Sequence, residues 1–288
     1  MSDQAKGLMI TGLAVLFILP DSLFVRLIDA SGMTIVFWRS ATIAFTTALY
    51  VIFAYGREGL SCWVRPSKYQ KIYGVLSIFS AAFFVLSVQN TSVANTVFII
   101  ASIPVFSALF SWLFLGERIS RRLVITIILV IIGVGIIAAG SGETEGAHIT
   151  GDLLALCASI SFAGALTTSR AARPESMVPI VPVAFAIAAL LCLFVTNPFE
   201  VRSDQYHLLF MHGGVFMAGA MILFAIGPRF ISSAEAGLLI LGESIGAPLL
   251  AWAFIGEFPG RWTLIGGALI LVTLFVSNLV ALRRSKRA

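Results

Sequence analysis

Charged residues are scarce in this chain. They make up 11% of its 288 residues, whereas 59% are hydrophobic and the mean hydropathy is +0.99. A soluble domain has about a quarter charged residues, so too few remain here to cover a surface exposed to water. Histidine and cysteine are also rare, with three of each and no CxxC or histidine-linked spacing. We therefore expect a protein surrounded by membrane lipid, with no metal site and no cofactor.

Motifs of common enzymes are also lacking. The chain has no GxxxxGK[ST] phosphate loop and no HExxH, and the Gly-Glu-Ser sequence at 242 to 244 has no companion base. We therefore do not expect an enzyme. The formal net charge of +5 would in principle suit nucleic acid. The basic residues instead form short clusters between apolar runs, which is typical of the positive-inside rule, so no nucleic-acid partner is expected.

Long apolar runs dominate what is present. A helix needs about 20 apolar residues to cross a bilayer, and polar breaks divide the chain into ten runs near that length. We predict an all-α integral membrane protein with ten transmembrane helices over residues 7–27, 33–54, 71–90, 93–115, 122–140, 152–170, 178–196, 207–226, 234–255 and 263–282. A β-barrel would need shorter, strictly alternating segments, which runs such as Leu123 to Ile132 do not show.

The distribution of lysine and arginine predicts the orientation. With the N-terminus placed in the cytoplasm, fifteen of the nineteen basic residues lie on the cytoplasmic side and three outside. Arg39 is left within the second helix. This asymmetry predicts that both termini are cytoplasmic, and it agrees with an even number of helices.

The chain contains an internal repeat. A shift of 140 residues places Ala94, Leu109, Trp112, Phe114, Gly116, Glu117 and Arg121 on Ala234, Leu249, Trp252, Phe254, Gly256, Glu257 and Arg261. The segment from Gly7 to Arg26 likewise resembles that from Gly151 to Arg170. Because five helices per half is an odd number, we predict two inverted five-helix repeats, residues 1–145 and 146–288. Many secondary transporters are built this way, with the substrate site near the midplane between the repeats.

These features resemble the EamA branch of the drug/metabolite transporter (DMT) superfamily over essentially the whole chain. The resemblance rests on Leu115-Gly116-Glu117 and Ile255-Gly256-Glu257, on Pro104 in helix 4, and on Trp38-Arg39 followed by Ala41 and Ala44. The chain most resembles the YddG-type bacterial amino-acid exporters. It departs from two-fold symmetry because helix 7 has no counterpart of Arg39, and because Pro104 aligns with Ser244 while Pro248 stands further along.

The resemblance implies a function. It implies a secondary transporter in the bacterial inner membrane that exports amino acids, with aromatic and other neutral ones favoured, by alternating access through a central cavity. The partners implied are the small-molecule substrate and membrane lipid, for a monomer or weak homodimer in which helices 5 and 10 are peripheral. The alternatives are a carrier of another metabolite or drug, and a membrane-embedded enzyme or scaffold.

Ionisable residues inside the apolar runs are candidates for binding substrate, because a charge in the bilayer is costly and normally faces a cavity or a partner. Asp21 directly follows Pro20, which kinks helix 1. Asp21 has two interpretations: a gate or amine-binding carboxylate, or a structural partner of Arg39 or Arg26. Glu243 lies near the midplane of helix 9 on a small-residue stripe. That stripe serves helix packing, or its carboxylate binds an ammonium group or a proton.

Further candidates line the predicted cavity. Kinks at Pro20, Pro104 and Pro248 are predicted gating elements. The predicted substrate-binding residues are Asp21, Trp38, Arg39, Phe79, Phe83, Asn95, Ser102, Ser161, His212 and Glu243. The alternatives are packing for the aromatic residues, hydrogen bonds to their own helix for the hydroxyl groups, and a satisfied polar group for His212. Glu117 and Glu257 are expected to be structural.

Overall fold

A computed structural model describes residues 3–117, 120–140, 148–172, 175–227, 230–231 and 233–285. In this part of the chain, nine helices are long and apolar enough to cross a membrane. They are α1 (Asp3–Leu27), α2 (Gly32–Val64), α3 (Lys68–Asn90), α4 (Val93–Leu115), α5 (Arg121–Ala139), α6 (Ile149–Ala171), α8 (Ser203–Ile226), α9 (Ser233–Ile255) and α10 (Arg261–Ser285). A shorter apolar helix, α7 (Val178–Cys192), lies between α6 and α8. The predicted boundary between 145 and 146 lies outside the described residues, as do Arg118, Arg173, Arg229, Lys286 and Arg287.

Serine side chains begin four of these helices. Ser31, Ser67, Ser92 and Ser120 each accept a hydrogen bond from the backbone N–H three residues further on. A capping hydroxyl satisfies an N–H that the first turn of a helix leaves without a partner. At Ser67 the cap is reciprocal, because Gln70 also accepts the Ser67 N–H. These caps fix where α2 to α5 enter the bundle.

Two helices are interrupted near prolines. The helix α1 breaks at Leu19 and Pro20 and resumes at Asp21, and α4 breaks at Ala101 and Ser102 and resumes at Ile103. Proline lacks an N–H and cannot continue the hydrogen-bond ladder of the preceding turn. Pro248 behaves differently, since it lies inside the continuous helix α9.

Two helix ends differ from the prediction. Helix α2 was expected to end at residue 54, but it bends at Gly56 and continues to Val64. Gly56 has a φ of 53°, which glycine adopts at little cost, so the chain redirects and stays helical. Helix α7 was expected to reach residue 196 but ends at Cys192 and gives way to turns before Pro198.

Equivalent helices of the two halves run antiparallel. Helix α5 lies along α10, with Arg122 donating to the carbonyl oxygen of Ser277 at 2.8 Å and Gly140 packed against Trp262. The early residue of one helix thus meets the late residue of the other. Helices α2 and α7 are also antiparallel, because Thr34 contacts Thr196 while Trp63 donates to the carbonyl oxygen of Pro179. Inverted repeats require this arrangement.

The principal helix pairs cross between the halves. Helix α3 packs on α6, α2 on α7, α5 on α10 and α1 on α8. Exchange of the first and second halves maps this set of pairs onto itself. The largest buried cluster accordingly joins Val85 and Val97 from the first half to Leu209 and Ala251 from the second. The halves therefore share their cores.

Large apolar side chains also cover the outside of the bundle. Phe53, Phe194 and Phe254 are more than two thirds exposed, and many leucines and isoleucines are exposed with them. In water such a surface would aggregate, whereas lipid tails solvate it. The polar groups that are buried lie between helices, where they form the site described next.

Candidate functional site

A buried ion cluster joins α1, α2 and α8. Asp21 accepts two hydrogen bonds from Arg39, at 3.2 Å from Nε and 2.8 Å from Nη2. The Nε2 atom of His212 lies 2.5 Å from the same carboxylate, which accepts its N–H. Asp21 and Arg39 are each 4% exposed and His212 is fully buried. The structure therefore shows Asp21 paired with Arg39, one of the partners expected from the sequence, and it adds His212 as a second partner.

The local structure of α8 brings His212 to Asp21. Residues Met211–Met217 form a π-helical stretch, whose wider turn shifts the side chains relative to a regular helix. Next to the histidine, Gly213 packs so closely on α2 that a Cβ there would collide with the Thr42 hydroxyl and the Arg39 carbonyl oxygen. The imidazole also stacks on Phe24, with ring centroids 5.5 Å apart.

Glu243 lies beside this cluster on α9. Gly242 and Gly246 on either side of it pack against Val15 and Leu19 of α1, so the small-residue stripe does serve close helix packing. The Glu243 carboxylate is within electrostatic range of Asp21. It is partly buried, and among the described residues no hydrogen bond or ion pair reaches it. When Glu243 is ionised, none of those side chains is paired with it.

The net charge of the cluster depends on whether Glu243 carries a proton. With both carboxylates ionised, Asp21 and Glu243 carry two negative charges, and the guanidinium of Arg39 is bound to Asp21. A proton on Glu243, or a cationic group of a ligand beside it, balances the cluster. A carboxylate in a low-dielectric interior either takes up a proton or binds a cation.

Asn95 and Ser102 lie in α4 and are fully engaged with other protein groups. The Asn95 amide donates to Asp152 at 3.0 Å and accepts from Thr263 at 2.6 Å. The Ser102 hydroxyl bonds to its own helix and contacts Ser159 at 2.9 Å. Both side chains are 1% exposed. The structure brings neither of them together with the Asp21 cluster through a described contact.

No described side-chain contact joins the remaining predicted residues to the ion cluster. Trp38 donates to the Pro198 carbonyl oxygen at 2.8 Å and sits among Phe37, Phe199 and Tyr206. These contacts fasten α2 to the segment before α8.

Three further predicted residues differ in how far they are exposed: Phe79, Phe83 and Ser161. Phe79 and Phe83 stack on each other with centroids 5.8 Å apart, and Phe79 is half exposed. Ser161 is partly buried on α6.

Sequence analysis missed a polar network at the end of the molecule where α1 ends. Arg26 is in ion-pair contact with Glu257 at 3.1 Å and donates to the Thr91 carbonyl oxygen at 2.8 Å. Glu257 also accepts the backbone N–H of Val93. Thr91 in turn donates to Asp152 at 2.7 Å. Charged residues at or near predicted helix ends were the available signal, but partners such as Arg26 and Glu257 lie 231 positions apart in the chain.

A second ion pair lies at the opposite end of the molecule. Arg170, at the end of α6, binds both carboxylate oxygens of Glu117 at 2.8 and 3.0 Å and also donates to Ser111. Asp152 belongs to the first network and starts the same helix. The two ion pairs are therefore separated by about the length of α6, roughly 30 Å.

One sequence match to an enzyme motif has no structural support. Residues 242–246 read Gly-Glu-Ser-Ile-Gly, which fits the spacing of a G-x-S-x-G nucleophile elbow. That elbow is a sharp turn between a strand and a helix. Here the five residues lie inside the uninterrupted helix α9, so the serine is not presented as a nucleophile.

Apolar helices share a core across two repeats here, with a charged cluster buried between them, and many secondary transporters are built in this way. The sequence profile of the EamA-like transporter family matches residues 7–139 and again residues 149–279. The chain belongs to that family, and each match covers one repeat. The chain is thus a multi-pass membrane protein of the EamA branch of the DMT superfamily.

Individual proteins are more distantly similar. The chain is 27% identical over 250 residues to the uncharacterized transporter YwfM of Bacillus subtilis, covering 80% of this chain and 81% of that protein. It is 27% identical over 261 residues to the pseudopaline exporter CntI of Pseudomonas aeruginosa, covering 88% and 86%. A crystal structure with a TM-score of 0.65 and 20% identity spans 97% of this chain and 98% of its own, which shows a common fold.

Proposed function

We propose that this protein is a secondary transporter that exports amino acids, aromatic and other neutral ones favoured, across the bacterial inner membrane by alternating access. The observation that carries the proposal is the partly buried carboxylate of Glu243 beside the Asp21–Arg39–His212 cluster. A zwitterionic amino acid offers an ammonium group for Glu243. Its carboxylate suits the Arg39 guanidinium, which it would share with Asp21.

The position of the cluster supports a role in transport. It joins α1 and α2 of the first half to α8 and α9 of the second, so a solute bound there contacts both repeats. In alternating access the repeats move against each other around one fixed site. The stacked pair Phe79 and Phe83 offers an apolar surface of the kind that aromatic side chains bind, although no described contact joins it to the cluster.

Uptake of a radiolabelled amino-acid panel into liposomes that contain the purified protein tests the proposal. We expect saturable uptake of a few amino acids above that of empty liposomes, at matched or mismatched pH. Uptake of none would remove amino acids as the substrate class. A chemically altered product inside the liposomes would instead indicate a membrane-embedded enzyme.

The Glu243→Gln variant tests the carboxylate. It keeps the shape of the side chain and removes its charge, so we expect uptake of the best amino acid to fall at least about tenfold, as for a lost charged contact. If protons share this site with the ammonium group, the dependence of uptake on pH also flattens. Glu200→Gln is the matched control, because Glu200 lies exposed in a loop and binds Asn197. Equal uptake by both variants would contradict the assignment.

A second candidate is export of a metabolite that is not a free amino acid. The similarity to a protein named as a pseudopaline exporter favours this candidate. Competition against uptake of a labelled amino acid distinguishes the two. A non-amino-acid solute that competes more strongly than any amino acid would support the second candidate.

A further inference from the structure

The two Gly-Glu elements have the same local geometry at opposite ends of the molecule. Gly116 and Gly256 end α4 and α9 with φ angles of 68° and 69°. This left-handed conformation closes a helix and is favourable only for glycine. It turns the chain so that the next residue, Glu117 or Glu257, leaves the helix axis. The repeat has therefore preserved both the sequence and the backbone that positions each carboxylate.

Each of these glutamates is bound by an arginine from the other half. Glu257 in the second half contacts Arg26 at the end of α1, and Glu117 in the first half binds Arg170 at the end of α6. Arg26 and Arg170 are themselves equivalent, since the segments that end at them align at an offset of 144 residues. The protein thus contains one Arg–Glu pair twice, and each copy joins the two repeats.

The two copies are in unequal states. The side chains of Arg26 and Glu257 are 27% and 16% exposed, and Arg170 and Glu117 are 42% and 49% exposed. Glu257 also accepts the Val93 N–H and thereby joins α9 to the start of α4. The Arg26 end is therefore the more tightly closed of the two.

We propose that Glu117 and Glu257 are positioning residues that act as alternating latches of the transport cycle. When the Arg26 end is closed, the pair Arg26–Glu257 is the less exposed of the two and Glu257 also accepts the Val93 N–H, while the pair Arg170–Glu117 keeps its hydrogen bonds but is more exposed. When the repeats exchange conformations, the Arg170–Glu117 pair takes the less exposed arrangement and Arg26–Glu257 becomes the more exposed pair. The inference rests on the proposed alternating access, but not on the identity of the substrate.

The two ion pairs stabilise opposite states because the two repeats exchange environments during such a cycle. A part-exposed ion pair contributes little, whereas one that is desolvated and carries further hydrogen bonds stabilises its state more. Two copies at opposite ends therefore favour opposite conformations. Loss of one copy should shift the population toward the state that the other copy stabilises.

Labelling of reporter cysteines in nanodiscs tests the latches without any substrate. Val93→Cys reports on the Arg26 end and Thr167→Cys on the Arg170 end, and both positions are buried. Cys157 is exposed and is replaced by serine, while the buried Cys62 and Cys192 set the baseline. The rate of reaction with a water-soluble maleimide is measured for each reporter in the full chain.

Opposite shifts are expected from the two glutamates. Glu257→Gln should raise the labelling rate at Val93→Cys by about twofold to fivefold, the effect of losing a part-exposed ion pair, and lower it at Thr167→Cys. Glu117→Gln should do the reverse. Arg26→Gln should act like Glu257→Gln, which provides a second variant if the first fails to fold.

The matched control is Asp204→Asn. Asp204 pairs with Arg202 in the same exposed loop. The substitution therefore removes a carboxylate but breaks no ion pair between the two repeats. We expect it to change neither reporter. If Glu257→Gln and Glu117→Gln both raise both rates, the pairs only hold the fold together, and the proposal is overturned. No change at either reporter would overturn it as well.

Discussion

At the scale of single residues, the buried guanidinium of Arg39 depends on one carboxylate. Removal of either partner of a buried pair leaves an uncompensated charge and typically costs about 3–5 kcal/mol. We therefore expect Asp21→Asn and Arg39→Gln each to lower the free energy of unfolding by about 3 kcal/mol, and the double variant to lower it by clearly less than the sum. Unfolding of the purified variants in detergent measures this.

The exposed pair of Arg202 and Asp204 serves as the comparison. Its side chains are 67% and 56% exposed, so the same three-variant cycle there should give a coupling within about 1 kcal/mol of zero. Additive losses at Asp21 and Arg39 would show that the two side chains do not depend on each other. In that case the cluster would not hold α1 against α2.

The site is only partly predictable from the sequence, for reasons visible in particular residues. The pairing of Asp21 with Arg39 is predictable because both charges lie at similar depths in neighbouring helices. His212 lies 191 positions from Asp21, and its placement depends on a π-helical stretch that leaves no sequence signal. Asn95 has the residue type and depth of a ligand, but its partner Asp152 becomes apparent only once α4 packs on α6.

At the scale of helices, α8 lies against α2 because residue 213 has no side chain. A Cβ at Gly213 would meet backbone and hydroxyl atoms of α2, so we expect Gly213→Ala to separate the helices and lower the melting temperature by several degrees. Gly12→Ala is the matched control, since nothing lies within 4 Å of a Cβ there. It should be neutral or stabilising because alanine favours a helix.

Thermal unfolding of both variants provides the measurement. Equal melting temperatures would mean that α8 can move away from α2 without loss of stability.

Helix positions were themselves predictable, because apolar length and polar breaks determine them. The ends of α2 and α7 were not, since a glycine in a left-handed conformation or a turn before proline decides them locally.

At the scale of the whole molecule, the distribution of basic residues predicts which side of the membrane each end of the helix bundle faces. In a background with Cys157→Ser, Asp204→Cys should react with an impermeant maleimide in intact cells. Glu58→Cys should react only after the cells are permeabilised. Both positions are in the described part of the chain and outside the predicted spans. The reverse pattern would invert the orientation, and with it the direction of the proposed export.

The pairing of α5 with α10 also bears on how the chain is made. Helix α5 packs on α10 through Gly133 and Gly266, yet α10 is translated well after α5. Synthesis proceeds from the N-terminus, so the glycine face of α5 stays without its partner while four further helices, α6 to α9, are translated and inserted. A chain that stops before residue 261 would expose this face to lipid. We expect quality-control proteases to degrade such an incompletely packed bundle.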